Sequence, residues 1–423
     1  MQTFLKISVN SLFQFVGRVF SSLTSIIVTA LITNNLSREV WGEFVIVISF
    51  IALFSLIADF GLNGYVLKIF TSDQESIEKN FKDILGLRLV LALVAIITGL
   101  AVLAFVPHSF AVKIGIIVGL LMIFFQSIFS TAAIIFQYKL RYDLYAVSDI
   151  IGSLTILLLV GLAVIVKAPL LVIVSIFVIG NLIKAVFGLF LAKSLVRFEG
   201  VSFDAVSFRK LLIASLPLGL MIVFAQINNN IDKQIIALTN PKTLGVSATV
   251  AVGIYGLAYR LFDFLVSIPT FIVNSAYPVL LNKFKSDRKD LLRFSQWLLG
   301  IMIALGAFFA IVGWIIAPVL INLFGPYKES VTPTRILFLG LPIFFATSFL
   351  VWLVVTLNRE ITLPFVFGFA ALFNLVMNLV LIPKFGYIAA AWVTVATEIT
   401  ILVLLIFILG AYFRQDKNVK KLA

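Results

Sequence analysis

Runs of about 20 or more apolar residues recur along the whole chain, separated only by short polar breaks, and this feature decides what the chain can become. A run of that length seeks a solvent without water. In such a solvent every backbone N–H and C=O must be satisfied within the protein, so the spanning elements are helices or closed barrels. Barrel strands alternate apolar and polar residues over about ten positions, and the runs here are too long and too uniformly apolar for that. Twelve of them read at approximately 6–32, 43–67, 84–106, 111–137, 145–166, 169–192, 210–238, 249–281, 292–324, 334–357, 362–382 and 386–411. The expectation is an all-α polytopic membrane protein of twelve transmembrane helices. The seventh to ninth runs exceed the need of a bilayer, which predicts tilting, kinking or extension into water.

Composition agrees: 62% of the residues are hydrophobic and 12% charged, where a soluble domain carries about a quarter charged. So little chain lies outside the runs that a soluble catalytic head is excluded. With no Cys and a single His, the chain cannot build Cys/His zinc centres, thiol redox sites or a His-Glu-x-x-His protease, and no metal or cofactor is expected. His108, beside Pro107, reads as a loop residue. Walker phosphate loops, dinucleotide-binding glycine patterns and nucleophile elbows are lacking too, so neither ATP-driven transport by this chain alone nor hydrolase chemistry is expected.

The net charge of +13 lies in short loops, where it encodes orientation and not nucleic-acid binding. One alternate set of loops, with both termini, holds 21 Lys and Arg, including Lys68, Arg88, Lys193, Lys283 and Lys421; the other set holds 7. That asymmetry places both termini in the cytoplasm. The first run contains Arg18 and is too long for a signal peptide, so it is read as a retained helix. The polar gap at 193–210 divides the chain into an N-terminal six-helix bundle (1–193), a cytoplasmic linker (194–209) and a C-terminal six-helix bundle with a basic tail (210–423). Weak likeness between Ala30-Leu31-Ile32-Thr33-Asn34 and Ala237-Leu238-Thr239-Asn240 suggests a parallel repeat.

Ionisable groups inside spans cost about 2.5–3.5 kcal/mol each on insertion scales and normally face a cavity or a partner. Nine fall there: the cations Arg18, Lys184, Lys233 and Arg260, and the acids Asp59, Asp149, Asp232, Asp263 and Glu398. Asn10, Gln14, Arg18 and Ser22 follow at four-residue steps, making a polar stripe, and Ser55, Asp59 and Asn63 repeat the pattern. The strongest anomaly packs Gln226, Asn228, Asn229, Asn230, Asp232, Lys233 and Gln234 into nine residues, a run that must line water or pack against protein. Local pairing is the plainer alternative, Arg260 with Asp263 and Lys233 with a neighbouring acid, but nine such groups exceed what holding helices together requires. Pro217, Pro269, Pro278, Pro318 and Pro342 predict bends in the second half, and Gly115 with Gly119 predicts close helix packing.

Several segments then carry a resemblance. Leu36-Ser37-Arg38-Glu39-Val40-Trp41-Gly42-Glu43-Phe44 leads to Ala58-Asp59-Phe60-Gly61-Leu62, and Ser215-Leu216-Pro217-Leu218-Gly219 leads to Asn230-Ile231-Asp232-Lys233. Gly253-Ile254-Tyr255 precedes Pro278, and Asn374 through Asn378 precede Pro383 and Gly386. In this order and spacing the chain resembles the polysaccharide-repeat (Wzx-type, O-antigen) flippases of the multidrug/oligosaccharidyl-lipid/polysaccharide exporter superfamily.

The resemblance implies two six-helix bundles in a V with a polar central cavity, in the bacterial inner membrane. It further implies export of an undecaprenyl-diphosphate-linked oligosaccharide to the periplasmic leaflet by alternating access, alongside membrane lipids and partner polymerase and assembly proteins. Arg18, Lys184, Lys233 and Arg260 become the expected headgroup contacts, with Gln14, Asn228, Asn229 and Asn230 as sugar hydrogen-bonders. Proton or sodium coupling is expected to use Asp59, Asp232, Asp263 or Glu398. Two other functions remain open on the sequence: a cation-coupled multidrug antiporter, which the buried cations disfavour, and a membrane glycosyltransferase or assembly scaffold, which the short loops disfavour.

Overall fold

The computed structural model describes residues 2–63, 76–196, 200–239, 245–286 and 288–422, with side chains described for all of these except 2–16, 18, 76–80 and 415–422. Its helices are α1 (Gln2–Asn35), α2 (Arg38–Asp59), α3 (Ser76–Phe105), α4 (Phe110–Gly119), α5 (Leu121–Tyr138), α6 (Tyr142–Ile165) and α7 (Leu170–Ala192). They continue with α8 (Ala205–Thr239), α9 (Ala248–Ser286), α10 (Arg288–Asn322), α11 (Val331–Leu339), α12 (Leu341–Thr356) and α13 (Leu363–Leu422). Among the described residues there is no strand.

Among the described residues nine helices are long and apolar enough to cross a membrane, and a bent pair, Lys328–Leu339 with Leu341–Thr356 at 44°, brings the number to ten where it is counted as one span. Gly386, with φ 60° and ψ −147°, divides α13 in two, and Val19–Asn35 is a further apolar helix. Among the described residues, twelve apolar helical segments therefore overlap the twelve runs read from the sequence. Large side chains such as Phe105, Phe110 and Phe407 are exposed, as lipid-facing positions require.

The helix ends follow local chemistry. Ser37 and Ser109 accept from the N–H groups of Val40 and Val112, capping α2 and α4. Asp204 does the same for α8, accepting from the N–H groups of Val206 and Ser207, each at 3.1 Å. The second run was expected to continue to residue 67; α2 itself ends at Asp59, where Phe60 turns left-handed (φ 36°) and Gly61 follows with φ 71°, while Leu62 and Asn63 are helical again and 64–67 lie outside the described residues. Of the expected proline bends, Pro342 stands in the first turn of α12 at the 44° bend, whereas Pro217, Pro269, Pro278 and Pro318 lie inside helices that continue past them. Threonines within spans, such as Thr33, return their hydroxyls to carbonyls one turn back, Thr33 to Thr29 at 2.9 Å, which satisfies those donors within the helix.

By contacts the chain forms two compact units. The first holds Met1–Gln226, Ala248–Gly253 and Phe324–Pro326; the second holds Ile227–Ser247, Ile254–Leu323 and Tyr327–Ala423. In the first, α6 packs on α1 and α7, α7 on α4 and α5, and α2 on α3 and α4. In the second, α10 packs on α11 and α12, and α13 on both of these.

Small residues set the closest approaches of the first unit. A Cβ on Gly119 would lie 2.4 Å from Ile51 Cδ1, and one on Gly115 3.1 Å from Val47, so α4 meets α2 through the expected Gly115/Gly119 face. At another crossing a Cβ on Gly42 would lie 2.0 Å from the carbonyl oxygen of Thr249, and Trp41 Nε1 donates to the Gly253 carbonyl at 2.9 Å. Only glycine permits that contact. The segments singled out around Trp41-Gly42 and Gly253 are thus two sides of one crossing, and Gly61 likewise abuts Gly219.

Candidate polar sites within the helices

Three buried polar groupings emerge, two in the first unit and one in the second. In the first unit Lys184 of α7 forms an ion pair with Asp149 of α6. The other oxygen of Asp149 accepts from Ser21 Oγ at 2.5 Å, and Ser153 Oγ donates to Ser21 Oγ at 3.2 Å. Gly152 makes this possible: a Cβ there would lie 2.9 Å from Lys184 Cβ, so α6 and α7 approach closely enough for the lysine to reach across. The Lys184 ammonium also lies 4.4 Å from the Phe129 ring centroid. Asn181, one turn from Lys184, donates to the Phe177 carbonyl of its own helix at 2.8 Å.

The second grouping centres on Arg88, which the loop count had assigned to a cytoplasmic loop. That expectation is wrong: Arg88 lies inside α3 within the span Phe81–Phe105 and is fully buried. Its Nη2 donates to Asp59 Oδ1 at 3.2 Å and to Asn63 Oδ1 at 2.8 Å, and Asn63 Nδ2 donates back to Asp59 at 2.8 Å. The expected Ser55/Asp59/Asn63 stripe therefore faces a cation, and a cavity of about 120 Å³ lies beside it, lined by Ser55, Asp59, Arg88, Gln126, Ser127 and Ser130 among others.

In the second unit the anomalous run on α8 meets α9 and α13. Asp232 is fully buried; its Oδ2 accepts from the Tyr255 hydroxyl at 2.6 Å, and Tyr255 lies 3.1 Å from the Thr394 hydroxyl. Lys233 is held by the Asn229 carbonyl, by Asp232 at 3.5 Å and by the Tyr259 ring, whose centroid is 3.6 Å away. The plainer reading of Lys233, a neighbouring acid, is therefore realised. Asn229 is exposed, and its amide oxygen accepts from Tyr259 at 3.3 Å. Asn228 is buried with neither amide atom hydrogen-bonded, and Asn230 is half-buried. Glu398 accepts from Thr347, and Asn374 bridges Thr397 and Asn378 at 3.0 and 2.9 Å. Asp263 is exposed and Arg260 half-buried. The side chains of Gln14 and Arg18 lie outside the described residues.

Among the described residues no group of three or more His, Cys, Asp or Glu could hold a metal ion. Beyond Arg88, reading by residue type missed Ser21, Ser153, Thr347, Thr397 and Gln126. Isolated hydroxyls and amides in apolar runs are common, and only the Gln126/Ser130 spacing, one turn on α5, hinted at a shared face.

The fold that carries these buried charges and amides has counterparts among known proteins. Among solved structures the chain is similar to the lipid II flippase MurJ in an inward closed conformation, at 16% identity and TM-score 0.74, covering 94% of this chain and 87% of that one. It is similar to an inward-facing multidrug resistance MATE family transporter of the MOP superfamily at 12% identity and TM-score 0.74, covering 98% and 100%. A MOP superfamily transporter from Pyrococcus furiosus, described as having a binding pocket of reversed polarity, matches at 14% identity and TM-score 0.68, over 97% and 95%. These likenesses establish a shared transporter fold. Among curated proteins no sequence matches. A family model described as polysaccharide biosynthesis protein matches residues 7–284, more than half of the chain. The resemblance read from the sequence thus holds at the level of family: this multi-pass membrane protein belongs to the polysaccharide biosynthesis protein family.

Proposed function

We propose that the chain is a flippase that moves an undecaprenyl-diphosphate-linked oligosaccharide repeat unit from the cytoplasmic to the periplasmic leaflet of a bacterial inner membrane. The observation that carries this reading is the family match across residues 7–284. The buried chemistry supports it: a sugar diphosphate crossing a bilayer needs hydrogen-bonding and charged groups inside the spans, while its polyprenyl tail stays in lipid. Alternating access, by movement of the halves 1–193 and 210–423 joined through 194–209, avoids a continuous leak. Both termini are cytoplasmic in this reading, as supported by the 20-to-7 split of basic residues that remains once Arg88 is taken out of the loops.

The anionic headgroup contacts are assigned to Arg18, Lys184, Lys233 and Arg260, and sugar hydrogen bonds to Gln14, Asn228, Asn229 and Asn230. Asn228, buried without a partner, has the strongest claim among the amides. Outward movement of a diphosphate is favoured by an inside-negative potential, by about 2.3 kcal/mol per charge per 100 mV. Cation coupling through Asp59, Asp232, Asp263 or Glu398 adds to that drive. A polysaccharide polymerase and assembly proteins are the proposed partners.

The test is leaflet transfer of a fluorescent undecaprenyl-diphosphate oligosaccharide in vesicles carrying the purified protein. Transfer is expected, and it is expected to fall when Lys233 and Arg260 are neutralised at unchanged protein level. Efflux of a cationic dye in the same vesicles, without lipid transfer, would replace this reading with that of a multidrug antiporter.

A further inference from the structure

Three span ends meet on one aromatic ring in the second unit. Arg288 opens the span Arg288–Asn322, Arg359 stands one residue before the span Glu360–Arg414, and Tyr412 lies two residues short of that span's end. The Arg288 and Arg359 guanidiniums lie 5.9 and 5.5 Å from the Tyr412 ring centroid, and Arg288 Nη2 donates to the Tyr412 hydroxyl at 3.3 Å. Two like charges are thus gathered on a ring that supplies no anion to cancel them. Asp290 is paired with Lys283 at 3.4 Å, and among the described residues no ion pair engages Arg359, which is exposed. Lys285, Lys289 and Arg293, in and beside the same loop as Arg288, are exposed as well. Orientation in a membrane needs only charge in a loop. It does not need two guanidiniums from separate elements fixed on one ring.

The level of this ring and the surface next to it decide what the site receives. Span ends stand where lipid headgroups lie, and a guanidinium stacked on a ring keeps its N–H edge for a phosphate. Just beyond Arg359, Ile361 is exposed, followed on α13 by exposed Phe365, Phe369 and Leu372. Steps of four, four and three residues put these side chains on one face, which leads from the arginine along about 10 Å of α13 into the span. Cations above and an apolar stripe below match the two ends of a phospholipid. A lipid-linked diphosphate in transit has to leave this level, whereas a resident lipid stays, and cations already fixed on a ring suit the resident. We propose that Arg288 and Arg359, held on Tyr412, bind the phosphate of an anionic phospholipid whose acyl chains lie along Ile361, Phe365, Phe369 and Leu372. The inference stands apart from the flippase reading. The orientation proposed above makes the leaflet the cytoplasmic one.

The experiment uses the purified full-length chain in detergent with added phosphatidylglycerol, phosphatidylcholine of the same acyl chains, undecaprenyl diphosphate or inorganic phosphate. Bound lipid is read by native mass spectrometry and by the rise in melting temperature. Phosphatidylglycerol is expected to be retained in preference to the other three. Arg288→Gln and Arg359→Gln are each expected to weaken its binding about fivefold, and together about thirtyfold. Arg335, which stacks on Trp314 at 5.1 Å, is the control, and Arg335→Gln is expected to bind as the parent does. Should the double variant fail to fold, Arg359→Gln alone carries the decision, since its side chain is exposed. The proposal is overturned if phosphatidylcholine is held as well as phosphatidylglycerol, or if undecaprenyl diphosphate or inorganic phosphate displaces it. It is equally overturned if Arg359→Gln binds as the parent does, or if Arg335→Gln weakens binding as much as Arg359→Gln.

Discussion

The two units bury polar chemistry in different ways. In the first, cations on one helix meet acids on another: Lys184 of α7 reaches Asp149 of α6, and Arg88 of α3 reaches Asp59 of α2. In the second, the contacts between helices are mostly neutral, with Tyr255 linking Asp232 to Thr394, Asn374 linking to Thr397, and Thr347 donating to Glu398, while Lys233 meets Asp232 along its own helix. The difference has a physical consequence. A charge pair fails badly when one partner goes, since an uncompensated ion remains in a medium that cannot solvate it. A hydroxyl bridge fails by the smaller amount of one unmet hydrogen bond.

The sharpest way to break this contrast is at α6 and α7. Lys184→Met should destabilise the protein by about 3 kcal/mol or more, because Asp149 keeps only the hydrogen bond from Ser21. Lys184→Met combined with Asp149→Leu should recover most of that loss, as paired apolar replacements commonly do. Melting temperatures of the two variants in one detergent compare them directly; equal values would mean that the pair does not act as a unit. In the second unit, Tyr255→Phe should cost about 1–3 kcal/mol by removing the donor to Asp232, with little change of shape. A loss as large as that of Lys184→Met would erase the distinction between the units.

The smallest expected effect lies outside the spans. The Ser207 hydroxyl and the N–H groups of Ser207 and Val206 hold the Asp204 carboxyl below its usual range. A carboxyl depressed on folding stabilises above its unfolded pKa, and that contribution fades as pH falls through the folded value. The parent should therefore lose slightly more stability than Asp204→Asn between neutral and acidic pH, measured as melting temperature against pH. Parallel curves would show that this cap does not contribute.

Most of the helical layout was legible in the sequence because apolar run length answers a one-dimensional question: whether a stretch can satisfy its backbone while surrounded by lipid. The sites were legible only in part. Asp59, Asp149, Lys184, Asp232, Lys233 and Glu398 stood out as expensive residues, whereas Arg88 did not, since a cation near the start of an apolar run reads equally well as a loop residue. The 21-to-7 charge asymmetry absorbed it without strain. Only its complete burial and the reach to Asp59 separate the two cases. The quoted segments around Trp41-Gly42, Gly61, Gly219 and Gly253 likewise showed order and spacing, but not that they meet in pairs.

By itself the sequence determined that the chain spans a membrane as twelve apolar helical segments, that its interior must carry hydrogen bonds and charge, and which family it resembles. These follow from composition and periodicity, which every residue contributes to locally. Tertiary structure decided the partners: which acid neutralises which cation, and where Cβ-free backbone lets helices touch. Pairing between residues such as Asp149 and Lys184, or Asp59 and Arg88, depends on helix rotation and approach, and those are set by packing across distant parts of the chain.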